Sequence, residues 1–268
     1  MFNQFYVFKN LHHFKIASLF APPYFICQSN KYIKMKLFQL NDFSPDYFHP
    51  YYFIRKNLLI KIKANAASIK GRVLDFGCGR KPYKYLFTTE EYIGIDYENK
   101  GHSHDEEDID VYYNGKTIPF ENGYFDSVIT TEVFEHVFNL EEVLQELFRV
   151  LKPGGNLLIT CPFVWNEHEM PHDYARYTQF ALADLLKKHG FSIAVFDKSG
   201  NFITTIFQLW NLYFFRKLYF KCNKFFITRF LYKYVLVFFI NIMGVFFSKV
   251  LPEDDSLYLN NIMVAVKN

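Results

Sequence analysis

The sequence predicts an α/β fold, in which a mostly parallel β-sheet is covered by helices on both faces. Short apolar segments that end in glycine or an acid alternate with longer segments of helical periodicity over residues 46–200. Half of the 268 residues are hydrophobic, which is enough to bury a large core. Polar motifs follow several of the apolar segments, as expected if a ligand binds at the carboxyl ends of parallel strands.

The first half of the alternation begins with a helix over residues 46–70, where apolar residues recur at spacings of three or four. The apolar segment Arg72–Phe76 then predicts a strand that ends in a glycine turn. Pro82 suits the first turn of a following helix. The second and third strands are predicted at Tyr92–Asp96 and Val111–Tyr113.

The second half continues in the same way. Asn139 and Glu142 have the spacing of a capping box at the start of a helix, and Thr178 suits the cap of another helix that ends at Gly190. Alternating with these helices, four further strands are predicted at Phe125–Thr131, Asn156–Cys161, Phe191–Phe196 and Asn261–Val266.

This pattern predicts four regions. Residues 1–45 form an N-terminal extension, expected to be disordered or not native, with Met35 as an alternative start. Residues 46–200 form the core, 201–255 a helical insertion rich in aromatic and basic residues, and 256–268 the final strand of the core.

Charge is distributed unevenly along the chain. The net charge of +3 does not predict nucleic acid binding, but residues 198–252 contain eight Lys or Arg and no acid. This composition predicts either a helical lid or a peripheral membrane contact through residues 201–250. The longest charge-free runs there, Asn201–Phe215 and Tyr234–Ser248, have 15 residues each, fewer than the ~20 that a membrane span needs.

The cysteines and histidines predict no metal site. Cysteines at positions 27, 78, 161 and 222 are far apart, as expected for reduced thiols in the cytoplasm. His168 and His172 have H-x-x-x-H spacing, but Pro171 argues against a regular helix and no third ligand is evident. We therefore expect a cytoplasmic protein, with the inner face of the membrane as the place of any lipid contact.

The glycine turn after the first strand indicates the ligand class. Asp75, Gly77 and Gly79 form the pattern D-x-G-x-G, and glycines at this spacing let a ligand approach the backbone closely. A dinucleotide fold has a third glycine where this chain has Pro82, and Asp75 is poorly suited to face a phosphate. A cationic ligand without phosphate, such as S-adenosylmethionine (SAM), fits the pattern better.

Five motifs in order carry a resemblance to a known family. These are the segment V-L-D-F-G-C-G at 73–79, the acid Asp96, I-P-F at 118–120 before F-D-S-V, the pair Glu135-His136, and L-K-P-G-G at 151–155. Together they resemble class I SAM-dependent methyltransferases. The resemblance implies a Rossmann-like, seven-stranded sheet and SAM as the cofactor, and it argues against an NAD-dependent oxidoreductase.

The resemblance also implies roles for individual residues. Asp96 would accept hydrogen bonds from both ribose hydroxyls, because a carboxylate has only acceptors. Tyr97 would lie beside the adenine, and Glu135-His136 would begin a helix under the site as a structural or catalytic pair. The other expected contacts are Asp75, Gly77, Cys78, Gly79, Thr131 and Glu132 with the methionyl part, and Asn114 and Gly115 with the adenine amino group.

The loop at 161–178, after the fifth strand, is the predicted acceptor side. His168 or His172 would act as a general base, oriented by Asp173 or Glu169, although Asp173 is equally suited to pair with Arg176 within a lid. The loop resembles the P-H-D-Y-x-R-Y-T pattern of methyltransferases from bacterial surface-polysaccharide gene sets. We therefore expect O-methylation of a sugar, glycan or lipid-linked acceptor. The alternatives are a quinone or lipid methyltransferase and a noncatalytic scaffold at the membrane.

Overall fold

The computed structural model describes residues 43–97, 108–222 and 224–268, so almost all of the predicted extension 1–45 lies outside the described residues. The described chain forms a seven-stranded sheet with the order β3-β2-β1-β4-β5-β7-β6. Its strands are β1 Arg72–Phe76, β2 Glu91–Tyr97, β3 Val111–Tyr113, β4 Phe125–Thr131, β5 Leu151–Pro162, β6 Phe191–Ser199 and β7 Asn260–Lys267.

Strand direction decides where a ligand can bind. β1 runs parallel to β2 and β4, β3 runs parallel to β2, and β5 runs parallel to β4, whereas β7 is antiparallel to both β5 and β6. The predicted mostly parallel sheet is therefore confirmed. The carboxyl ends of β1, β2, β4 and β5 meet at one edge of the sheet, where open α/β sheets bind their ligands.

Helices cover both faces of the sheet, as the alternation predicts. They are α1 Tyr52–Asn65, α2 Leu140–Val150, α3 Gln179–Lys188, α4 Phe202–Cys222 and α5 Phe226–Val250. One apolar core lies under α2 and α3 and contains Leu144 and Leu186, and the other lies under α1 and contains Leu58 and Ile62. All four of these side chains are at most 1% exposed, so both layers are firmly packed.

The segment after β1 differs from its prediction. Instead of a helix at Pro82, the structure has a single 3-10 turn at Lys84–Leu86 before β2 begins. The preceding Lys81 has a φ of +51°, which interrupts a right-handed helix, and its buried ammonium pairs with Asp110 at 2.7 Å. The ion pair ties this turn to the segment before β3, a contact between residues far apart in the sequence.

Two helix caps were predicted, at Thr178 and Asn139. Thr178 accepts a hydrogen bond from the backbone N–H of Ala181 at 3.2 Å, which confirms the predicted cap of α3. Asn139 caps no backbone group of α2. Its amide donates instead to the side chain of Glu142 at 2.7 Å, because the pair is near enough to bond directly.

Buried amides fix the predicted helical insertion to the start of α1. Gln208 on α4 donates to Pro50 O at 2.9 Å and accepts from the backbone N–H of Ile54. Asn241 on α5 donates to the carbonyls of Tyr47 and His49 and accepts from Asn211. These buried bonds are costly to break, so the inner sides of α4 and α5 are held in place.

By length and composition, the 25-residue helix α5 is able to cross a membrane. Only 28% of its most apolar stretch is buried within the protein. This differs from the expectation drawn from charge-free runs. The reason is that the helix continues through a π-helical segment, Leu231–Val237, and past Lys233, where the charge-free run begins; Arg229 and Lys249 are the other charged residues of the helix.

Candidate active site

A cavity of about 640 Å³ opens at the carboxyl ends of β1, β2 and β4. We call it the glycine-loop cavity, because Gly77 and Gly79 line it. Of the other predicted site residues, Asp96, Tyr97, Gly115, Glu132 and His172 also line it. The strand order brings these residues together from five separate segments of the chain.

The two glycines have different reasons to be glycine. Gly77 has a φ of +73°, and a Cβ there would lie 2.4 Å from a methyl carbon of Val133, so a side chain has neither the conformation nor the space. Gly79 has a φ of +46°, but a Cβ there would meet nothing within 4 Å. The loop is therefore packed at Gly77 and open at Gly79, where a ligand can approach the backbone.

Asp96 connects the glycine loop to the end of β2. One carboxylate oxygen accepts from the backbone N–H of Gly79 at 2.9 Å, and the other accepts from that of Tyr97 at 2.7 Å. A carboxylate offers about four acceptor positions, so it can accept several hydrogen bonds at once. Asp96 is thus able to hold the loop and to accept hydroxyl groups of a ligand in the cavity.

Four predicted cofactor contacts lie outside the lining of this cavity, namely Asp75, Cys78, Asn114 and Thr131. The Asp75 side chain is buried and accepts from the Tyr92 hydroxyl at 2.7 Å, and burial raises its pKa to about 7. Successive side chains of a strand point to opposite faces, which directs Asp75 away from the ligand side. Asn114 instead closes a turn, accepting from the backbone N–H groups of Lys116 and Thr117.

Glu132 directly follows β4 and has a φ of +57°, in the left-handed region that residues other than glycine rarely adopt. Its carboxylate accepts from the Thr160 hydroxyl at 2.8 Å and from the Asn260 amide at 2.6 Å. Burial raises its pKa to about 7, while both donors act in the opposite direction. The strained backbone and the two donors hold this carboxyl at a fixed place beside the cavity.

A second cavity, of about 430 Å³, adjoins the first. We call it the histidine cavity, since His136 and His168 line it. Three residues, Glu132, His136 and Glu169, line both cavities and form the wall between them. A group bound in one cavity therefore lies next to a group bound in the other, which is the arrangement that a transfer reaction requires.

His168 is held by the loop that follows β5. Its Nδ1 lies 3.2 Å from Asn166 O, a contact that requires the proton on Nδ1 and so places the lone pair on Nε2, whereas the longer contact of 3.4 Å from Arg176 Nη2 to Nδ1 would need the opposite tautomer. Asp173 accepts from the backbone N–H of His168 at 3.0 Å, and its Oδ2 is 3.4 Å from the ring Nδ1. Burial lowers the pKa of His168, so the ring is neutral near pH 7.

Asp173 lines neither cavity. It forms a two-pronged ion pair with Arg176, at 2.6 and 2.8 Å, which together with the His168 N–H holds its pKa at about 2. The predicted pairing with Arg176 and the predicted support of His168 thus occur together. The second predicted base, His172, lines the glycine-loop cavity and lies 3.0 Å from the Tyr174 hydroxyl.

The pair Glu135-His136 lies at the center of the site rather than at a helix start. Both residues belong to a 3-10 turn, Phe134–His136, directly after β4. The His136 ring centroid is 4.7 Å from that of His168, and its Nδ1 lies 2.7 Å from His172 O. The Glu135 side chain is 1% exposed, and burial raises its pKa well above the ordinary value.

Several residues that line the cavities were not predicted from the sequence. Arg55 from α1 and Leu212 and Arg216 from α4 line the histidine cavity, and Val137 and Val143 line the glycine-loop cavity. Arg55, Leu212 and Arg216 have no local signal, because they reach the site through packing of elements that are distant in the sequence. Val137 and Val143 follow the Glu135-His136 pair along the chain. For His136 a signal existed, since it follows the carboxyl end of a predicted strand.

Comparison with known proteins identifies the family. Residues 52–195, more than half of the chain, match the family model described as a methyltransferase domain. The chain belongs to this methyltransferase family. The matched residues include the whole glycine loop, Glu132 and the loop with His168, so both cavities lie largely within the family domain.

Individual relatives agree with this membership. The chain is 35% identical over 130 residues to the mitochondrial ubiquinone biosynthesis O-methyltransferase of Mus musculus, covering 40% of this chain and 34% of that protein. It is 29% identical over 119 residues to a probable SAM-dependent methyltransferase of Mycolicibacterium smegmatis, covering 42% and 46%. The chain thus spans about a third to a half of these relatives.

The fold also matches solved structures. The [4+2]-cyclase SpnF superposes with a TM-score of 0.51 at 18% identity, over 83% of this chain and 85% of that one. This likeness concerns the fold alone, which hosts more than one chemistry. The seven-stranded methyltransferase fold predicted from the sequence is confirmed.

The residues of the glycine-loop cavity fit SAM, which supplies a methyl group on a sulfonium. The open side of Gly79 permits a close approach to the backbone, and Asp96 offers acceptors for ribose hydroxyls. Among the residues that the structure describes, the lining contains Asp96, Glu132 and Glu169 and no Lys or Arg, which suits a cationic ligand without phosphate. These features fit a SAM site in a chain of the methyltransferase family.

Proposed function

We propose that this methyltransferase transfers the methyl group of SAM to a hydroxyl of a sugar, glycan or lipid-linked acceptor bound in the histidine cavity. The observation that carries this proposal is the wall shared by the two cavities, beside which His168 presents a neutral ring with a free Nε2. The resemblance of the Pro171–Thr178 segment to enzymes of polysaccharide gene sets supports a sugar acceptor.

In this mechanism the acceptor hydroxyl gives its proton to His168 Nε2. The acceptor oxygen forms a bond to the methyl carbon, the bond between that carbon and sulfur breaks, and its electron pair stays on the sulfur. The products are a methyl ether, S-adenosylhomocysteine and a protonated His168, which returns its proton to water. Arg176 and Asp173 keep the His168 loop in place during the step.

The His168→Ala variant tests the base. A general base contributes roughly 10²- to 10⁴-fold, so we expect kcat to fall by at least about 100-fold while SAM affinity stays within a few-fold. Activity of the wild type should rise with pH and level off below the ordinary histidine pKa of 6.5, because the pKa of His168 is lowered. An unchanged kcat in His168→Ala would contradict the base.

A quinone or related phenol is the second candidate acceptor. Similarity to the ubiquinone biosynthesis O-methyltransferase favors it, although the match covers only 40% of this chain. A panel of sugars, glycans, lipid-linked sugars and hydroquinones, incubated with SAM and analyzed by product mass, separates the candidates. A gain of one methylene mass on hydroquinones alone would overturn the sugar proposal.

We also propose that α4 and α5 contact the cytoplasmic face of a membrane. On α5, Phe226 and Ile227 are 73% and 70% exposed, while Asn241 and Gly244 face the protein. A Cβ at Gly244 would lie 2.5 Å from the Phe53 ring, so this side of the helix is closely packed. A helix with one side held and the other apolar suits a position in the plane of the membrane surface.

Basic residues support contact with anionic lipid. Arg216, Lys217, Lys221, Lys224 and Arg229 are exposed on α4, on the start of α5 and on the link between them, and α4 and α5 contain no acid. Leu212 and Arg216 of α4 also line the histidine cavity. A lipid-linked acceptor at the surface would thus have a short path to the site.

Co-sedimentation with vesicles tests this contact. We expect binding to vesicles of phosphatidylcholine with phosphatidylglycerol, and weaker binding to pure phosphatidylcholine or at high salt. Each buried apolar side chain contributes ~1.5–3 kcal/mol when fully inserted, so Phe226→Ser/Ile227→Ser should weaken binding by at least about 10-fold. Phe180→Ser, at an equally exposed phenylalanine on α3, is the matched control. Failure to bind either vesicle would refute the contact.

A further inference from the structure

We propose that Glu135, His136 and His168 form a binding site for a divalent transition-metal ion, such as Zn²⁺, in the wall of the histidine cavity. One ligand atom from each of the three side chains lies within 4.8 Å of the others. Ligands around one ion with bonds of about 2.1 Å lie at most about 4.2 Å apart. Small side-chain rotations are therefore sufficient to close the site.

The buried carboxyl of Glu135 is the independent observation that points to a ligand. Its side chain is 1% exposed, yet Oε1 has no hydrogen-bond partner and lies 3.8 Å from His136 Nε2. Burial of an unpaired carboxyl oxygen costs stability, and a protein rarely leaves such a group without a partner. An ion bonded to this oxygen would satisfy it.

The two histidines are prepared for the same role. His136 Nδ1 lies 2.7 Å from His172 O, and His168 Nδ1 lies 3.2 Å from Asn166 O. In each ring the bond to a backbone carbonyl places the proton on Nδ1 and leaves the Nε2 lone pair free. Histidine ligands of metal ions are typically held by such a second bond.

The cavity is rich in carboxyl groups, which a bound cation would hold in their ionized form. Four carboxyl groups line the histidine cavity, from Glu132, Glu135, Glu167 and Glu169, against two guanidinium groups, from Arg55 and Arg216. Two imidazoles and a carboxylate suit zinc, manganese, iron, cobalt or nickel better than calcium or magnesium. Three ligands leave coordination positions open on the side of the cavity.

This ion would deepen the proposed function, on which its catalytic role rests. In a chain that holds the ion, His168 would be a ligand, and an acceptor hydroxyl on an open coordination position would have a lowered pKa and give its proton to water; His168 acts as the base only in the metal-free chain. This site differs from the sequence expectation of no metal, which considered only His168 with His172. The structure brings His168 to Glu135 and His136 instead, while His172 faces the other cavity.

Metal binding is measured without acceptor or SAM, on untagged full-length protein stripped with a chelator. Titration with Co²⁺, followed by its visible absorption, and with Zn²⁺, followed by calorimetry, should show one equivalent per chain. Loss of even an outer partner of a metal ligand costs ~10- to 100-fold, so Glu135→Gln and His168→Ala should each weaken binding by at least about 100-fold.

His172→Ala is the matched control, because it removes a neighboring imidazole but keeps the backbone carbonyl that orients His136. Its metal affinity should stay within about 3-fold of the wild type, and Zn²⁺ should raise the Tm of both proteins but not of Glu135→Gln. Absence of binding by the wild type, or equal binding by Glu135→Gln, would overturn the site. Binding without methylation of any hydroxyl acceptor would instead overturn the proposed function alone.

Discussion

Replacing Asp96 by alanine should weaken SAM binding more than any other single change to the glycine-loop cavity. The carboxylate lies at the end of β2, lines the cavity and accepts the backbone N–H of Gly79 at 2.9 Å. Alanine removes the acceptors proposed for the two ribose hydroxyls. It also releases the loop between β1 and the 3-10 turn from its attachment to β2.

The magnitude follows from the number of bonds lost. A hydrogen bond to a charged group contributes ~1.5–3 kcal/mol, so two ribose bonds amount to about 3–6 kcal/mol. Since each 1.4 kcal/mol is tenfold in affinity, the Kd for SAM should rise by at least about 100-fold. Asp96→Asn keeps one acceptor oxygen and should fall between the wild type and alanine.

Calorimetric titration with SAM and with S-adenosylhomocysteine measures this effect. Both ligands carry the ribose, so both should lose affinity by a similar factor. Asp184→Ala, which removes an exposed acid on α3 away from both cavities, is the control and should bind as the wild type does. A Kd for Asp96→Ala within 3-fold of the wild type, in a protein that remains folded, would refute the ribose role.

Two further predictions concern stability. The folded pKa of Asp75, about 7, lies above its ordinary value of 3.8, so its stabilizing contribution is complete below pH 3.8 and is lost as the pH rises through 7. This loss approaches about 4 kcal/mol, at 1.36 kcal/mol per pKa unit. Chemical denaturation should therefore show that the unfolding free energy of Asp75→Asn declines less than that of the wild type between pH 5 and 8. Parallel curves of unfolding free energy against pH for the two proteins would contradict this prediction. Gly77→Ala should lower the unfolding free energy by about 2–5 kcal/mol, because of the positive φ of Gly77 and the overlap of a Cβ with Val133. Gly154→Ala, with a φ of +75° and no neighbor within 4 Å, should lower it by only about 1–2 kcal/mol. Equal losses in the two variants would disprove the overlap.

Much of the core fold was predictable from local patterns. The apolar segments that predict strands at Arg72–Phe76 and Phe125–Thr131 have the same bounds in the structure, and Thr178 caps α3 as expected. Hydrophobic periodicity and caps are local properties, and the sequence contains them directly. The helix expected at Pro82 does not form, because the buried ion pair between Lys81 and Asp110 overrides the local preference of this segment for a helix.

The donor side was more predictable than the acceptor side for a physical reason. A ligand that binds at strand ends is contacted by short motifs next to those strands, so Gly77, Gly79 and Asp96 were visible in the sequence. Asp75 is part of the same motif, but its side chain points to Tyr92 across the strand pair. Direction of a side chain depends on the register of the neighboring strand, which the motif alone does not specify.

The sequence by itself determined the family, the order of strands and helices, and the residues available to hold SAM. Only the tertiary structure decided that Glu132, His136 and Glu169 form one wall between two cavities, and that His168 meets Glu135 rather than His172. The reason is that these contacts join the end of β4 to the loop after β5. Their geometry depends on the pairing of parallel strands and on the packing of the helical insertion, and no local pattern of residues encodes either.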